Sequence, residues 1–378
     1  VNTDFDIAVL GGGLAGLSLL YHLIEAGKLA DKKVLLVDPA GRKNKYDRTW
    51  SFWEAEPGPF ESLVHHRWDT VTVHDNERDL ICELAPYQYK LIRSSDFYAH
   101  VNKVIDAAGV VTRLTDRAEN ITSAEEFVHF TSGGQSYRVT HAYSSLPLHL
   151  RPRQIKQPYL DQHFKGWIIK TEEPVFDPAV AALMDFRTPQ HDETRFLYVL
   201  PTSSTEALVE VAIFSNNHLT SEAYDEILSQ YIAAHWTEGA YTVKHVEQGN
   251  IPMTTYPFPT SEGNLTYIGL RGGAARPSTG YTFYGMQRQL GALAKSFPSR
   301  APKPWRRRDL YYDATILGLL QHNRLRGDQI FLDLFSANPT PRLLAFLNGE
   351  SDFTEELAIM STTNIREFGK SFVLEALR

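Results

Sequence analysis

The chain begins with a continuous apolar run, Phe5 to Leu10 (FDIAVL), of the kind that forms a strand buried on both faces. Glycines follow at once. The segment LAGLSLLYHLIEAG then repeats its apolar residues at helical spacing, with Gly27 as the stop. Lys33 to Val37 (KVLLV) is a second buried strand. Strand, glycine turn, helix and strand in so short a span predict a βαβ unit with parallel strands.

From Trp68 to Lys90 the pattern shortens into β-like pieces such as DTVTVHD and RDLICEL. Ser94 to Ala108 reads as a helix with Phe97, Val101, Val104 and Ile105 on one side. EEFVHFTSGGQSYRVTHAYSS predicts a hairpin leading into another strand. A strand-rich stretch from Gly166 to Ser215 contains GWIIKTEE, RFLYVLP and ALVEVAIFS. A helix is expected over Ala223 to His235, and NLTYIGL is one more buried strand. After Phe297 the texture turns to PSRAPKPWRRRD and then to helices. The order predicts an α/β nucleotide domain (1–65, 95–150 and 245–298) interrupted by a β-rich substrate domain (66–94 and 151–244), with a helical region over 299–378.

Composition narrows the classes. With 378 residues, 43% hydrophobic and 22% charged, the chain is an ordinary globular sequence long enough for two interlocked domains. A net charge of −7 argues against a nucleic-acid partner. The single cysteine, Cys82, cannot form an internal disulfide, which suits a reducing compartment. No signal segment is expected at the first residues, and no stretch approaches the roughly 20 apolar residues that cross a bilayer. The 14 histidines show no H-x-x-x-H pairing, so no metal site is expected.

Gly11-Gly12-Gly13-Leu14-Ala15-Gly16 matches the dinucleotide fingerprint in the required strand-to-helix position. Gly11 permits the tight turn, Gly13 lets a pyrophosphate approach, and Gly16 allows close helix–strand packing. Leu14 opens the helix whose N-terminus would face the phosphates, and Asp38 ends the second strand where a carboxylate meets ribose. This leaves NAD and FAD open. A second glycine-rich segment, GLRGGAARPSTGYTF, follows another buried strand and favours FAD. There Tyr267 to Leu270 would end the strand, and Gly269 and the residues after it keep the backbone bare. Pro277 would open the last turn, and Gly280 would start a helix directed at the flavin.

YDRTWSFWE (46–54), GNIPMTTYPFP (249–259), GGAARPSTGYTF and QHFKGWIIKTEEPVFDPAVAALMDFR together resemble the bacterial lycopene β-cyclase family over essentially the whole chain. The resemblance implies a Rossmann-like FAD-binding domain of the hydroxylase/reductase flavoprotein type. It implies an intramolecular isomerase that uses reduced FAD, with NAD(P)H or another donor as reductant. Acyclic ends of lycopene would become β-rings, via γ-carotene, without net redox change.

That family's essential glutamate follows a Y-V-L-P segment. Here Tyr198-Val199-Leu200-Pro201 precedes ALVEV, so the role carries over to Glu210. Val211 departs from the commoner Thr or Asp at the next position. Gly269-Leu270 departs from the Gly-Asp pair that many flavoproteins place against the ribityl chain. Arg48 would meet FAD, while Trp50, Phe52, Trp53, Trp167 and Tyr281 are candidates to line a polyene channel. Alternating aromatics also suit a plain core, and Asp47 and Glu54 suit structural salt bridges.

The expected partners are lycopene and related carotenoids, a membrane surface and other carotenoid enzymes. Arg300, Lys303, Arg306, Arg307 and Arg308 around Trp305, with Tyr311, Tyr312 and ATILGLLQHNRL, are the segment expected at the cytoplasmic side of a membrane. Two other readings stay open: a redox flavoenzyme of similar fold, either monooxygenase or polyprenyl reductase, and a carotenoid-binding flavoprotein without catalysis.

Overall fold

The computed structural model describes residues 2–39, 48–124, 126–237, 239–297 and 301–377. The expected βαβ unit is β1 (Asn2–Leu10), α1 (Leu14–Glu25) and β2 (Val34–Val37). The chain then forms β3 (Thr49–Glu54), β4 (His66–Trp68), β5 (Thr70–His74), β6 (Asp79–Glu83) and β7 (Gln88–Arg93). Next come α2 (Ser94–Ala108), β8 (Val111–Leu114), β9 (Glu119–Ala124), β10 (Phe127–Ser132) and β11 (Gln135–Ser144). The middle region holds β12 (Tyr159–Thr171), β13 (Val180–Asp185), β14 (Thr194–Pro201), β15 (Glu206–Ser215), α3 (Ser221–His235) and β16 (Tyr241–Thr254). Two short strands, β17 (Ser261–Glu262) and β18 (Leu265–Tyr267), precede α4 (Phe283–Lys295). The chain finishes with α5 (Arg307–Gln321), α6 (Gly327–Ala337), α7 (Thr340–Leu347), α8 (Phe353–Ser361) and α9 (Ile365–Ala376).

The first sheet runs β17-β18-β11-β1-β2-β8, with the hairpin of β9 and β10 attached to β11. Its centre is parallel, as a βαβ unit requires, with Ile7 facing Val34 and His141. Residues alternate across it. Ile7 and Val9 enter a core shared with α1, α2 and α4, while Ala8 and Leu10 pack against Val128, Phe130 and Val139 on the other face.

The second sheet has the order β16-β12-β15-β14-β13-β5-β6 and is antiparallel except where β13 meets β5. One face, with Trp167, Val209, Val211 and Ile213, is covered by α3 through Tyr224, Leu228 and Ile232. The opposite face carries Leu208, Ala212, Phe196, Tyr198 and Phe214. It packs against Leu317 of α5, Phe331 and Leu332 of α6, and Trp53, Tyr89 and Leu91 of the small β3-β7-β4 sheet.

One expectation needs correction. Residues 245–254, assigned by sequence to the nucleotide domain, belong to β16 at the edge of the second sheet. The helical region over 299–378 also contributes to the core, since α5, α6 and α7 bury leucines and phenylalanines on that sheet.

Candidate functional site

The glycine fingerprint forms a bare cradle. Gly11 has φ +105°, and a Cβ there would stand 2.4 Å from Ser145 Oγ. A Cβ on Gly16 would stand 2.0 Å from the Gly11 carbonyl oxygen, so only glycine lets α1 start so close to the turn. Gly13 is the N-cap of α1 and no side chain caps the helix, which leaves the N–H groups of its first turn for an anion. Leu14 is partly buried against the core beneath. Asp38, at the end of β2, accepts the Gly12 N–H at 2.9 Å and braces the turn from the place where it would meet ribose.

The second glycine segment docks on this cradle. Gly269 has φ +64°, and its Cβ would come within 2.7 Å of Ala15 Cβ in the first turn of α1. Thus the two glycine segments, remote in sequence, form one bare surface of the kind that a dinucleotide requires. The local details differ from expectation. The strand ends at Tyr267, Gly269–Gly272 form a 3-10 turn, and the helix starts at Phe283 rather than Gly280. Gly280 is left-handed at φ +74°, which disfavours helix initiation there, and a Cβ on it would meet Gln162 Oε1 at 2.0 Å. Pro277 is buried in the turn between them. Arg48 is exposed at the entry to β3, where its backbone N–H donates to Ser94 Oγ at 3.2 Å. Asp47 and Arg300 lie outside the described residues.

A second constellation lies on the second sheet. Glu210 of β15 is paired with Tyr198 on one side and Gly166 on the other, and Gly166 is paired in turn with Glu247 of β16. The row Tyr198–Glu210–Gly166–Glu247 therefore crosses four strands on one face. A Cβ at Gly166 would stand 3.0 Å from Glu210 Oε2, so the missing side chain is the space that the carboxyl occupies. Glu247 is buried, and its Oε2 accepts the Thr49 N–H at 2.7 Å. Glu210 keeps a partial opening to solvent. Even so, desolvation by the surrounding protein, with the nearby Glu247 charge second, raises its pKa well above the ordinary carboxylate range.

Aromatic residues stand beside it. The Tyr281 hydroxyl is 2.9 Å from that of Tyr89 and 3.5 Å from that of Tyr198. The Trp53 ring meets Tyr281 edge-on with centroids 4.4 Å apart, and its indole N–H donates to the Leu344 carbonyl. Burial, first of all, raises the pKa of all three tyrosines, and the Glu210 charge adds to it at Tyr89 and Tyr198. The hydroxyls stay neutral. A carboxyl inclined to keep its proton, set among aromatic faces, can protonate an apolar molecule and stabilise the cation that forms.

Of the residues read from sequence, Glu210 pairs with Tyr198, Tyr281 reaches the Tyr198 hydroxyl, and Trp53 packs on Tyr281. Strand alternation carries the others elsewhere. Phe52 stacks on Phe283 at 4.5 Å, and Trp50 meets Phe97 at 5.4 Å, both in the core under the first sheet. Trp167, next to Gly166, points to the opposite face beneath α3. Glu54 does form a buried pair with Lys90 at 3.0 Å, completed by Glu61 at 2.6 Å. Glu247, Gly166, Tyr89 and Tyr198 were missed as site residues, since only strand register reveals their neighbourhood.

The basic run is partly tied to buried acids. Arg306 binds Asp309 at 2.7 Å and Glu356 at 3.0 Å, and Arg308 binds Glu356 at 3.1 Å. Trp305 is buried with its N–H on the Ala275 carbonyl, and Tyr312 donates to Glu356. Buried Asp309 and Glu356 thus tie these groups down, and Leu317, Leu319 and Leu320 of the adjoining helix are core. Lys303, Arg307, Arg308 and Tyr311 remain exposed. Among the described residues no three His, Cys, Asp or Glu stand together as metal ligands, and no helix is long and apolar enough to cross a membrane.

The family model described as Lycopene cyclase protein matches residues 6–371. No curated protein matches the chain. Among solved structures it is similar to a flavoprotein/dehydrogenase from Cytophaga hutchinsonii, with TM-score 0.64, 11% identity and coverage of 98% of this chain and 99% of that one. A geranylgeranyl bacteriochlorophyll reductase-like protein from Thermoplasma acidophilum gives TM-score 0.61 and 12% identity, covering 97% and 99%. p-Nitrophenol 4-monooxygenase from Pseudomonas putida gives 0.60 and 12%, covering 99% and 98%. At these identities the likeness concerns the fold, which is the Rossmann-like type of the flavoprotein hydroxylases and reductases.

Proposed function

The chain belongs to the lycopene cyclase family, enzymes of carotenoid biosynthesis, and from that membership we propose that it is a lycopene β-cyclase. It converts the acyclic ends of lycopene, through γ-carotene, into the β-rings of β-carotene with no net redox change. The observation that carries this reading is Glu210, a carboxyl with a raised pKa held over Gly166 beside Tyr198, whose hydroxyl meets Tyr281 with Trp53 packed behind it.

Glu210 donates its proton to the terminal double bond, whose π electrons form the new C–H bond and leave a carbocation. The neighbouring double bond closes the ring onto it, and the aromatic faces of Trp53 and Tyr281 stabilise the displaced positive charge. A proton then leaves the ring carbon, and ionised Glu210 can take it back. One proton enters and one departs, so product and substrate have equal mass.

The cradle fits FAD. Gly11, Gly13, Leu14, Gly16 and Asp38 would hold its dinucleotide end, and Arg48, Gly269, Pro277 and Gly280 its flavin side. Bound and reduced by NAD(P)H or another donor, FAD would supply negative charge that favours a cationic intermediate.

The substrate dissolves in lipid, so the proposal includes peripheral attachment at the cytoplasmic side of a membrane. Support comes from α9, where Ile365, Phe372 and Val373 are 70%, 42% and 56% exposed on a helix that also exposes Arg366 and Lys370, and from Leu377 just after it, 80% exposed.

The test is anaerobic incubation with lycopene in liposomes, FAD and dithionite, with products identified by chromatography and mass. Equal-mass cyclic product, with one deuteron taken up per ring in heavy water, is the expected result. The structural neighbours include a reductase-like protein and a monooxygenase, which favours one competing reading. Product changed in mass by hydrogen or oxygen, with matching loss of reductant, would select that redox reading.

A further inference from the structure

Resting on the cyclase reading for its place in catalysis, we propose that Glu247 is a positioning residue that stays ionised and thereby holds the proton on Glu210. The geometry distinguishes the two carboxyls. Glu247 is anchored by the Thr49 backbone N–H at 2.7 Å, a bond that favours the charged acceptor. Among the described residues no hydrogen-bond donor is aimed at the Glu210 carboxyl. Only side-chain-free Gly166 separates their strands, and Glu210 Oε2 fills the space above it. Two like charges sharing that space are unfavourable, and the carboxyl without a donor is the one to stay neutral.

Thr49 opens β3, the strand that also carries Trp53, so the proton on the acid is tied to the seating of that strand. The other titratable groups near Glu210 are Tyr198 from β14, Glu206 farther along β15, and His245 two residues before Glu247 on β16. Among the described residues Tyr89 from β7 and Tyr281 from the loop before α4 also stand on this side, and His65 interacts with Glu206. The tyrosines are neutral. Glu247 is the negative neighbour whose charge acts on Glu210.

Infrared difference spectroscopy on the FAD-free protein tests this without needing turnover. The carbonyl band of protonated Glu210 is identified by its loss in Glu210→Gln, then followed against pH. In Glu247→Gln the band should vanish at a pH about one unit or more lower than in wild type, a tenfold or larger change in proton affinity. Glu247→Asp, which keeps the charge, should restore most of the difference. Under cyclisation conditions the alkaline limb of the rate profile should move in the same direction. An unchanged Glu210 titration in folded Glu247→Gln would overturn the inference. If that variant does not fold, carbon-13 NMR of the wild-type carboxyls decides. Glu247 ionised throughout the Glu210 titration is expected, and Glu247 protonated at the pH where Glu210 ionises would overturn it. The band titration stands or falls whether or not the protein cyclises lycopene, so the two readings fail separately.

Discussion

Glu210 shows how one missing side chain creates a chemical group. On a surface strand a glutamate is solvated and ionised, but here its carboxyl lies over Gly166 between neighbouring strands, where burial favours the neutral form. The same feature has a consequence for stability. A carboxyl whose folded pKa lies above its unfolded value binds more protons in the native state, so its contribution is favourable at low pH. That contribution is lost as pH rises from the unfolded value of about 4.3 through the folded one, at about 1.4 kcal/mol for each pH step of one between the two. Glu210→Gln should therefore raise the melting temperature more at pH 8 than at pH 4, as scanning calorimetry at the two pH values can check. Of this residue, its apolar setting was legible in ALVEVAIF. Its partner Glu247 was not, because the pairing of β12 with β15 and β16 is a matter of register over long sequence distances.

At the level of elements, the parts read most directly were those built from local signals. The β1–α1–β2 unit and the helix Ser94–Ala108 follow from apolar spacing and glycine punctuation alone. β16 escaped because it is an edge strand with Val243 and Val246 exposed, so its sequence carries no clean alternation. The basic run escaped for another reason. Its partners include Glu356, far along the chain on α8, and a buried acid that far away cannot be inferred from a run of arginines. The glycine cradle supplies a prediction at this scale. Gly16→Val would press a side chain on the Gly11 carbonyl and on Val9 Cγ1, 3.0 Å away. Urea denaturation should show a loss of about 1–3 kcal/mol, and flavin fluorescence should show FAD released on gel filtration.

Across the whole molecule, the two sheets and the small β3-β7-β4 sheet divide the work. The first sheet and α1 offer a bare surface for a dinucleotide, and the second offers an acid among aromatics. β3 lies between them, with Phe52 in one core and Trp53 in the other. The C-terminal helices close the second sheet from outside and leave α9 with an apolar outer surface. Replacing Val373 and Leu377 by glutamate should lower co-sedimentation with anionic liposomes several-fold while leaving melting temperature nearly unchanged, because these side chains are 56% and 80% exposed. Activity on lycopene in liposomes should fall with binding, and activity in detergent should persist.

Whether Glu210 is the acid of a cyclisation that consumes no reductant is decided by counting ring-closed product per reduced flavin, anaerobically, for wild type and for Glu210→Gln with FAD retained. Many equal-mass products per flavin are expected in wild type, with a loss on the order of 100-fold or more in the variant. A variant that cyclises at the wild-type rate, or one reductant consumed for each product, would rule this role out.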